Sequence, residues 1–448
     1  MRLAQARLWS RIWRPREKQP ARARIQTDET RDSNLIGLPE SDASRQRYRW
    51  VMLAGLWLAY ASFGLVSGGI PPLVGVVSGD LNLSRSAMGS VLGAWPLIYV
   101  AMAIPAGALI DRFGLRRSLA VGVLLIGLSG LLRAVAVNYA TMFLAVAVFG
   151  LGGPFVSVGA PKLIAVWFPR SGRGTAMGAY MTASNVGRIV ALATANSVFM
   201  PLYDSSWRLT LVTYAGFAFM AAAVWWVIAR DPKQSDSTSG APDKSFAASL
   251  RVFPLLLRGR VVQIVLALSV GSFLFNHGFS NWLPEILRDR GMTPSEAGLW
   301  ATLPIVVGVG ATLVIPHVAT PRRRIPMLVV TLLLAGLSAL LVGTSSGAPL
   351  TLGLLLQGAA GRGVQPIIML ILMDAPQIGA DHMGAAGGLY FTAGEVGGVL
   401  GPLLLGVAAD VTGGFMGGLI ILTGLTVALA LVAIALGIAV RSVPRETP

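Results

Sequence analysis

Three charged side chains lie inside stretches of sequence that are otherwise apolar: Arg188, Arg362 and Glu395. A charge at the depth of a bilayer costs about 2.5–3.5 kcal/mol on insertion scales, so it is retained where it faces a wet cavity or a partner. A guanidinium keeps its proton and can give two parallel hydrogen bonds to a carboxylate. The two arginines therefore predict a cationic site for a small anion, or else a structural salt bridge with Glu395.

The carboxyl group of Glu395 has two possible roles. A buried carboxyl group can take up and release a proton as its surroundings change, so Glu395 could act as a proton carrier. It can equally serve as a permanent counter-ion for one of the arginines. The residue types leave both roles open.

Polar and aromatic side chains accompany these charges. Asn185 precedes Arg188 by one helical turn, and His277 and Asn281 come just before the Trp-Leu-Pro break at 282–284. Polar residues at a helix break often line a cavity, although helix packing is an equal alternative. The further candidates for the lining are Tyr60, Tyr99, Tyr180, Tyr390, Gln357 and Gln365.

The elements that must position these residues are apolar runs long enough to cross about 30 Å of hydrocarbon. Six are expected in the first half of the chain, at roughly 51–74, 87–109, 117–137, 140–165, 175–199 and 209–229. Six more are expected in the second half, at roughly 261–283, 296–318, 326–344, 348–373, 384–408 and 414–440.

The composition agrees with a membrane protein. Apolar residues make up 54% of the 448 and charged residues only 12%, against about a quarter charged in soluble domains. These values exclude a soluble enzyme, a disordered chain and a globular nucleic-acid binder. The chain has no cysteine and three histidines, so we expect no metal site and no cofactor.

The lysines and arginines lie mostly on one side of the predicted spans. Of the 36, 29 lie in the termini, the central linker and the connections on that side, and five lie on the other. Because cytoplasmic loops are enriched in Lys and Arg, both termini should be cytoplasmic. This asymmetry accounts for the net charge of +16 without a nucleic-acid partner.

The predicted domain organisation has five parts. They are a basic cytoplasmic tail (1–49), a six-helix bundle (50–229), a cytoplasmic linker (230–260), a second six-helix bundle (261–440) and a short cytoplasmic tail (441–448). The start of the first tail has Arg7, Arg11 and Arg14 on one helical face and apolar residues opposite, as in interfacial helices. A disordered tail is the alternative.

The two bundles are predicted to be copies of one unit. GAYMTASNVGRI at 178–189 matches GLYFTAGEVGGV at 388–399, with six of twelve positions identical at an offset of 210. LSRSAMG at 83–89 resembles MTPSEAG at 292–298. Parallel repeats of this kind hold a substrate between the halves, near the midplane. The fold class is thus an all-α membrane protein of twelve helices in two pseudo-symmetric bundles.

One loop resembles a family signature. The sequence G-A-L-I-D-R-F-G-L-R-R at 107–117 is similar to the G-x-x-x-D-R-x-G-R-R motif after the second span of the major facilitator superfamily. The resemblance implies that this loop is a cytoplasmic latch, with the Asp facing a helix of the other half and the basic residues pairing across the interface. The residues implied are Gly107, Asp111, Arg112, Gly114, Arg116 and Arg117.

Two further segments resemble one branch of that superfamily. PKLIAVWFPRSGRGTAMGAY at 161–180 and NWLPEILRDRGMTPSEAG at 281–298 are similar to the cyanate permeases and share a pattern with the nitrate/nitrite porters. Oxalate and monocarboxylate porters are a second match. The arginine that nitrate porters carry before an Ile-Pro pair is replaced by Ala103, which argues against nitrate.

The sequence thus predicts a monomeric secondary transporter of the cytoplasmic membrane that carries a small organic or inorganic anion, similar to a monocarboxylate or cyanate. Transport would be coupled to protons or proceed by exchange, since no nucleotide-binding loop is present. The alternatives are an exporter of an amphipathic compound or drug and a membrane sensor or scaffold without transport. A membrane-embedded enzyme lacks the necessary side-chain constellation.

Overall fold

The computed structural model describes residues 40–230, 254, 256–373 and 378–441, without the side chains of 40–46, 379–385 and 439–441. The amphipathic pattern of the N-terminal tail, most of the linker 230–260 and residues 442–448 lie outside the described residues. The chain divides into two compact units, Met1–Tyr48 and Arg49–Pro448. All twelve predicted spans lie in the second unit.

Each predicted span coincides with a helix. In the first half these are α1 (Glu40–Gly68), α2 (Arg85–Phe113), α3 (Leu115–Ala134), α4 (Tyr139–Trp167), α5 (Arg173–Thr194) and α6 (Trp207–Ile228). In the second half they are α7 (Arg260–Asp289), α8 (Pro294–Val318), α9 (Arg324–Thr344), α10 (Gly347–Met373), α11 (Gly379–Thr412) and α12 (Met416–Arg441). The predicted all-α membrane fold is confirmed.

Eleven helices of the described chain are long and apolar enough to cross a membrane, and α5 is not among them. Its 22 residues carry Arg173, Asn185 and Arg188, which lower the mean hydropathy of the helix. A span that keeps such residues is typically turned toward a protein interior or a wet cavity. The polar span α5, which is not among the eleven apolar helices, is therefore the one from which a polar site is expected.

The helix boundaries follow local capping chemistry. The side chain of Ser84 accepts a hydrogen bond from the first turn of α2, and Asn138 forms a capping box at the start of α4. Such caps satisfy N–H groups that have no partner within the helix. Between α2 and α3, Gly114 has φ of +82°, a conformation that glycine adopts without steric cost.

Three helices end in or contain an irregular turn. After Gly68, α1 gives way to a 3-10 turn at Pro71–Leu73 and a short helix, Val74–Asp80. A π turn at Ala195–Phe199 follows α5, and another at Gln357–Gly361 lies within α10, immediately before Arg362. π turns widen a helix locally and frequently occur at functional sites.

The predicted repeat is visible in the packing of two helix pairs. A Cβ atom built on Gly187 of α5 would overlap the carbonyl oxygen of Ala61 in α1. A Cβ on Gly397 of α11, the repeat position of Gly187, would overlap the carbonyl oxygen of Val270 in α7. Glycine is thus required at both positions because two helix backbones touch there.

The two halves meet at the end of the molecule that carries the loops α1–α2, α5–α6, α7–α8 and α11–α12, which we call the closed end. Asp410 of α11 accepts hydrogen bonds from the backbone N–H groups of Arg85 (3.0 Å) and Ser86 (2.8 Å) at the start of α2. One apolar cluster there joins residues of both halves, including Leu73, Val91, Phe279 and Trp282.

Candidate functional site

Arg188 of α5 is half-buried between the two halves. Its Cγ atom lies 2.9 Å from a Cβ built on Gly68, where α1 ends, so the absence of a side chain at Gly68 makes room for it. Its Nη2 donates a hydrogen bond of 3.3 Å to Oδ1 of Asn281 in α7. The guanidinium of the first half therefore contacts an amide of the second half.

Arg362 of α10 makes the reciprocal contact. Its Nη1 donates a hydrogen bond of 3.2 Å to Oδ1 of Asn185 in α5. The aliphatic part of the side chain crosses α8 at Gly308, where a Cβ would overlap Cδ of Arg362. Each half thus contributes one arginine and one asparagine, and both arginine–asparagine pairs cross the interface.

The two positive charges are not neutralised by the protein around them. Among the described residues, neither Arg188 nor Arg362 has a carboxylate oxygen within 4.0 Å. Arg362 hydrogen-bonds Asn185, one helical turn before Arg188 on α5, so both guanidinium groups border the same stretch of the interface. Amide oxygens supply only dipoles to these donors, so a site with two adjacent cations favours an anionic ligand.

Glu395 of α11 lies in the same region and contacts a histidine rather than an arginine. Its Oε2 is 3.9 Å from Nε2 of His277 in α7, and the Glu395 side chain is 10% exposed. This oxygen is buried and makes no hydrogen bond. A Cβ on Gly398 would come within 3.1 Å of Nδ1 of His277, so glycine at that position makes room for the pair.

The amides beside the site hold the irregular backbone of α10. Asn276 donates hydrogen bonds to the carbonyl oxygens of Gly361 (2.9 Å), in the π turn, and of Ser272 (3.0 Å). Gln357 is buried and accepts a hydrogen bond of 3.1 Å from Ser338. Gln365 is half-buried on the segment after Arg362. The structure therefore gives Asn276 and Gln357 packing roles.

The predicted tyrosines are separated by the fold. Tyr60 of α1 and Tyr180 of α5 stack with ring centroids 4.4 Å apart, and the hydroxyl of Tyr99 in α2 is 2.6 Å from Ser157. Tyr390 is fully buried in an apolar cluster of the second half and contacts Phe273 edge-on. Three of the four therefore lie on one side of the site, in the first half.

Sequence reasoning missed Trp95 and misplaced Arg133. The Trp95 ring lies 5.7 Å from the ring of His277 across the interface; its position in the middle of a span was the signal. Arg133 is one of the five basic residues that the sequence assigns to the side opposite the termini, but it is buried in the last turn of α3. Its Nη1 donates a hydrogen bond of 2.7 Å to the carbonyl oxygen of Val66, and its guanidinium lies over the ring of Phe149.

Asn196 is a second residue that sequence reasoning missed. It lies in the π turn after α5, where its Nδ2 donates to the carbonyl oxygens of Pro72 (2.8 Å) and Pro294 (3.3 Å). Its own carbonyl accepts a hydrogen bond of 3.0 Å from Ser295. This amide therefore links the break after α1 to the start of α8 at the closed end.

The loop between α2 and α3 makes contacts within its own half. Asp111 forms an ion pair with Lys162 of α4, rather than facing a helix of the second half as the latch interpretation expects. Arg116 donates a hydrogen bond of 2.8 Å to the carbonyl oxygen of Trp226, and its guanidinium lies over the indole ring of the same residue. A Cβ built on Gly107 would lie 4.0 Å from the side chain of Val158 in α4, and Arg112 and Arg117 are exposed. Among the described residues, no ion pair or hydrogen bond of Asp111 reaches the second half.

A family model described as the Major Facilitator Superfamily matches residues 56–402. Relatives from bacteria cover most of the chain. A probable galactarate/D-glucarate transporter of Bacillus subtilis (strain 168) is 24% identical over 77% of this chain and 82% of its own length. A hexuronate transporter of the same organism is 22% identical, covering 80% and 87%. A 2-nitroimidazole transporter of Escherichia coli (strain K12) is 26% identical, covering 82% and 90%.

The fold is also similar to solved structures. A bacterial homolog to the human lysosomal transporter Spinster, in an inward-facing and unoccupied conformation, superposes with a TM-score of 0.67 at 16% identity, over 88% of this chain and 96% of the other. The nucleoside transporter NupG superposes with a TM-score of 0.69 at 14% identity, over 86% and 99%.

These comparisons support the resemblance to the superfamily but not the resemblance to the cyanate permeases. The three relatives are named for sugar acids and 2-nitroimidazole and not for cyanate, nitrate or oxalate, so they do not support the narrower resemblance to cyanate permeases. The family match extends over most of the chain and agrees with the twelve helices and the close α1–α5 and α7–α11 packing. The chain is a multi-pass membrane transporter that belongs to the Major Facilitator Superfamily.

Proposed function

We propose that this protein carries a small organic anion across the cytoplasmic membrane by alternating access, and that Arg188 and Arg362 bind the anion. One observation carries the proposal. Two guanidinium groups, one from each half, lie at the interface, and each hydrogen-bonds an asparagine of the opposite half. An anion between them adds a contact that joins both halves, so its binding biases how the halves are arranged.

A carboxylate is the anionic group that fits these donors best. Two arginines can each present a planar fork of N–H groups, which matches the two oxygens of a carboxylate. The transporters of galactarate, glucarate and hexuronate among the relatives are named for carboxylic acids. We therefore place the substrate among organic carboxylates and retain cyanate-sized anions as the smaller alternative.

The arrangement corresponds to one state of the transport cycle. The halves are in contact at the closed end, while Cβ atoms built on Gly178 and Gly388, further along α5 and α11, meet no atom within 4 Å. The Lys and Arg distribution puts the opposite end of the molecule in the cytoplasm. On this assignment the bundles 50–229 and 261–440, joined by the linker 230–260, are separated toward the cytoplasm, and a monomer suffices for transport.

The test uses purified protein in proteoliposomes. Arg188→Gln and Arg362→Gln should insert and fold but lose uptake of the anion about 30-fold or more, because removing one partner of a buried charged contact costs about 2–5 kcal/mol. Arg322→Gln, which removes one charge from the exposed α8–α9 loop, is the matched control. Wild-type uptake by both site variants would exclude the anion site.

An exporter of a planar, amphipathic compound is the second candidate. It is favoured by the aromatic rings of Tyr60, Tyr180 and Trp95 beside the site and by the relative named for 2-nitroimidazole. Efflux that is retained in Arg188→Gln would support it against the anion carrier. A sensor or scaffold without transport is tested by deleting residues 1–45, because a transporter core should keep its flux without this tail.

A further inference from the structure

One side of the site is built from aromatic rings. We call the following residues of α1, α2, α4 and α5 the aromatic cluster: Tyr60, Phe63, Trp95, Tyr99, Phe149 and Tyr180. Adjacent ring centroids lie between 4.4 Å (Tyr60–Tyr180) and 6.1 Å (Phe63–Trp95). Phe149 and Tyr180 are buried, whereas the other four retain partly exposed rings. The cluster therefore offers ring surface that the protein itself does not cover.

The aromatic cluster adjoins the two arginines. Trp95 lies 5.7 Å from His277 of the second half, and His277 lies one helical turn before Asn281, which accepts the hydrogen bond of Arg188. The neighbour of His277, Asn276, donates to the carbonyl oxygen of Gly361, next to Arg362. On the α1 side, a Cβ on Gly64 would overlap the carbonyl oxygen of Ser184, one turn before Arg188. Ring surface and guanidinium groups therefore border the same space between the halves.

Two hydroxyl groups of the aromatic cluster are already engaged. The Tyr99 hydroxyl bonds Ser157 at 2.6 Å, and the Tyr60 hydroxyl lies within hydrogen-bonding reach of Tyr180 and Ser184. Recognition of several ligand hydroxyls would need donors and acceptors that are free, because burying an unpaired polar group is costly. This side of the site thus suits flat apolar surface better than a polyhydroxylated chain.

Of these rings, Tyr180 has an equivalent in the second half, Tyr390, whereas Trp95 and Tyr99 have none. With the offset of 209 between the starts of α2 and α8, Trp95 corresponds to Pro304 and Tyr99 to Gly308. Gly308 leaves the space that Arg362 occupies, whereas Tyr99 packs against Gly153 of α4. The two copies of the repeat have therefore diverged at these positions. The first half carries the rings of Trp95 and Tyr99, whereas the second half carries the space that Arg362 of α10 fills.

We propose that the carried anion is an aromatic carboxylate, with its carboxylate on Arg188 and Arg362 and its ring on Trp95 and Tyr60. This inference rests on the proposed function and names its substrate class. Offset or edge-on contact between aromatic rings is favourable beyond the area that it buries. A ligand that engages both sides spans the interface, since Trp95 belongs to the first half and Arg362 to the second.

The test compares three probes on the purified full-length protein: benzoate, acetate and D-glucarate. Each is titrated while the melting temperature is followed, because a ligand that binds the folded state raises it. We expect benzoate to bind about tenfold or more tightly than acetate, and also more tightly than D-glucarate. Counterflow of labelled benzoate in proteoliposomes should follow the same order.

A variant of Trp95 tests the contact between this residue and the ring of the ligand. Trp95→Leu should weaken benzoate binding about three- to tenfold and leave acetate binding within about twofold, because only benzoate has a ring to lose. Trp300→Leu is the matched control, since Trp300 is an exposed tryptophan of α8 outside the aromatic cluster. Circular dichroism and the melting temperature without ligand verify that both variants fold.

Two results would overturn the inference separately from the proposed function. If D-glucarate or acetate binds more tightly than benzoate and Arg188→Gln abolishes that binding, the anion site stands and the aromatic substrate class is wrong. If Trp95→Leu weakens benzoate and acetate equally, the ring contact is wrong. Failure of all three probes, with uptake of other anions unaffected by Arg188→Gln, would remove both proposals.

Discussion

The ionisable side chains of Arg188, Arg362, Glu395 and His277 decide what the site can hold. Each guanidinium donates to an asparagine oxygen, and this polar contact offsets part of the cost of placing a charge at bilayer depth. No carboxylate of the described residues pairs with either guanidinium, and Oε2 of Glu395 faces His277 at 3.9 Å. A carboxyl group that can bind a proton near two cations can alter the net charge that an incoming anion meets.

At this scale we predict that Glu395→Gln uncouples transport from the proton gradient. Glutamine is neutral at every pH, so the variant cannot exchange a proton as the site is loaded and emptied. Accumulation driven by an acid exterior should be lost, while exchange of anion for anion should persist. Uptake by proteoliposomes with and without an imposed pH gradient measures both activities.

The control for that prediction is Glu285→Gln. Glu285 also lies in a span, but it pairs with Arg288 at 3.0 Å in the last turns of α7. Its neutralisation should leave gradient-driven accumulation in place. Continued accumulation by Glu395→Gln under an acid exterior would contradict the carrier role and leave Glu395 as a fixed counter-ion.

At the scale of the helices, glycine residues determine how closely α5 packs against α1 and α11 against α7. Gly187 and Gly397 place the backbones of α5 and α11 directly against those of α1 and α7. A methyl group there would meet a carbonyl oxygen of a neighbouring helix, which a rotamer change cannot relieve. The close α1–α5 and α7–α11 contacts hold Asn185, Arg188 and Glu395 in register with the partner helices.

We therefore predict that Gly187→Ala and Gly397→Ala each destabilise the fold by about 1–3 kcal/mol, the usual cost of overpacking. The matched controls are Gly178→Ala and Gly388→Ala, nine residues earlier in the same helices, where a Cβ meets open space. Thermal unfolding in detergent measures the effect. Equal melting temperatures for the two sets of variants would show that the helices separate easily.

At the scale of the whole molecule, the closed end sets which state is populated. The carboxylate of Asp410 receives two N–H groups from the first turn of α2, where the helix dipole also favours a negative charge. The guanidinium of Arg85 extends this junction toward Asp289 at 3.9 Å. These contacts join the halves and would have to break before the closed end opens.

We predict that Asp410→Ala shifts the population toward an opened closed end. The protein contains no cysteine, so spin labels can be placed without background through Val137→Cys and Ser346→Cys, two exposed positions at this end in different halves. The distance between the labels should lengthen in Asp410→Ala. An unchanged distribution of distances would mean that Asp410 does not hold the halves together.

Asp80→Ala is the control for this experiment. Asp80 pairs with Arg208 at the same end of the molecule, but both residues belong to the first half. Loss of that ion pair should leave the distance between the labels unchanged. The comparison distinguishes a contact between the halves from a contact that stabilises one half alone.

The sequence by itself determined the twelve helices, the repeat and the intramembrane charges. Long apolar runs must become helices, since a bilayer offers no other partner for backbone N–H and C=O groups. The offset of 210 correctly paired Gly187 with Gly397, and the two backbone contacts are equivalent. The polarity of α5 also marked Arg188 and Asn185, because such residues are expensive in lipid and are kept for a reason.

Only the tertiary structure decided which of these residues meet. Arg188 contacts Asn281 and Arg362 contacts Asn185 across distant parts of the chain, and such pairings depend on helix rotation and tilt, which periodicity does not fix. The ion pair of Asp111 with Lys162 and the hydrogen bond of the buried Arg133 to Val66 are also seen only in the structure. A span predicts that a side chain lies in the membrane, whereas the packing of its neighbours determines which way that side chain points.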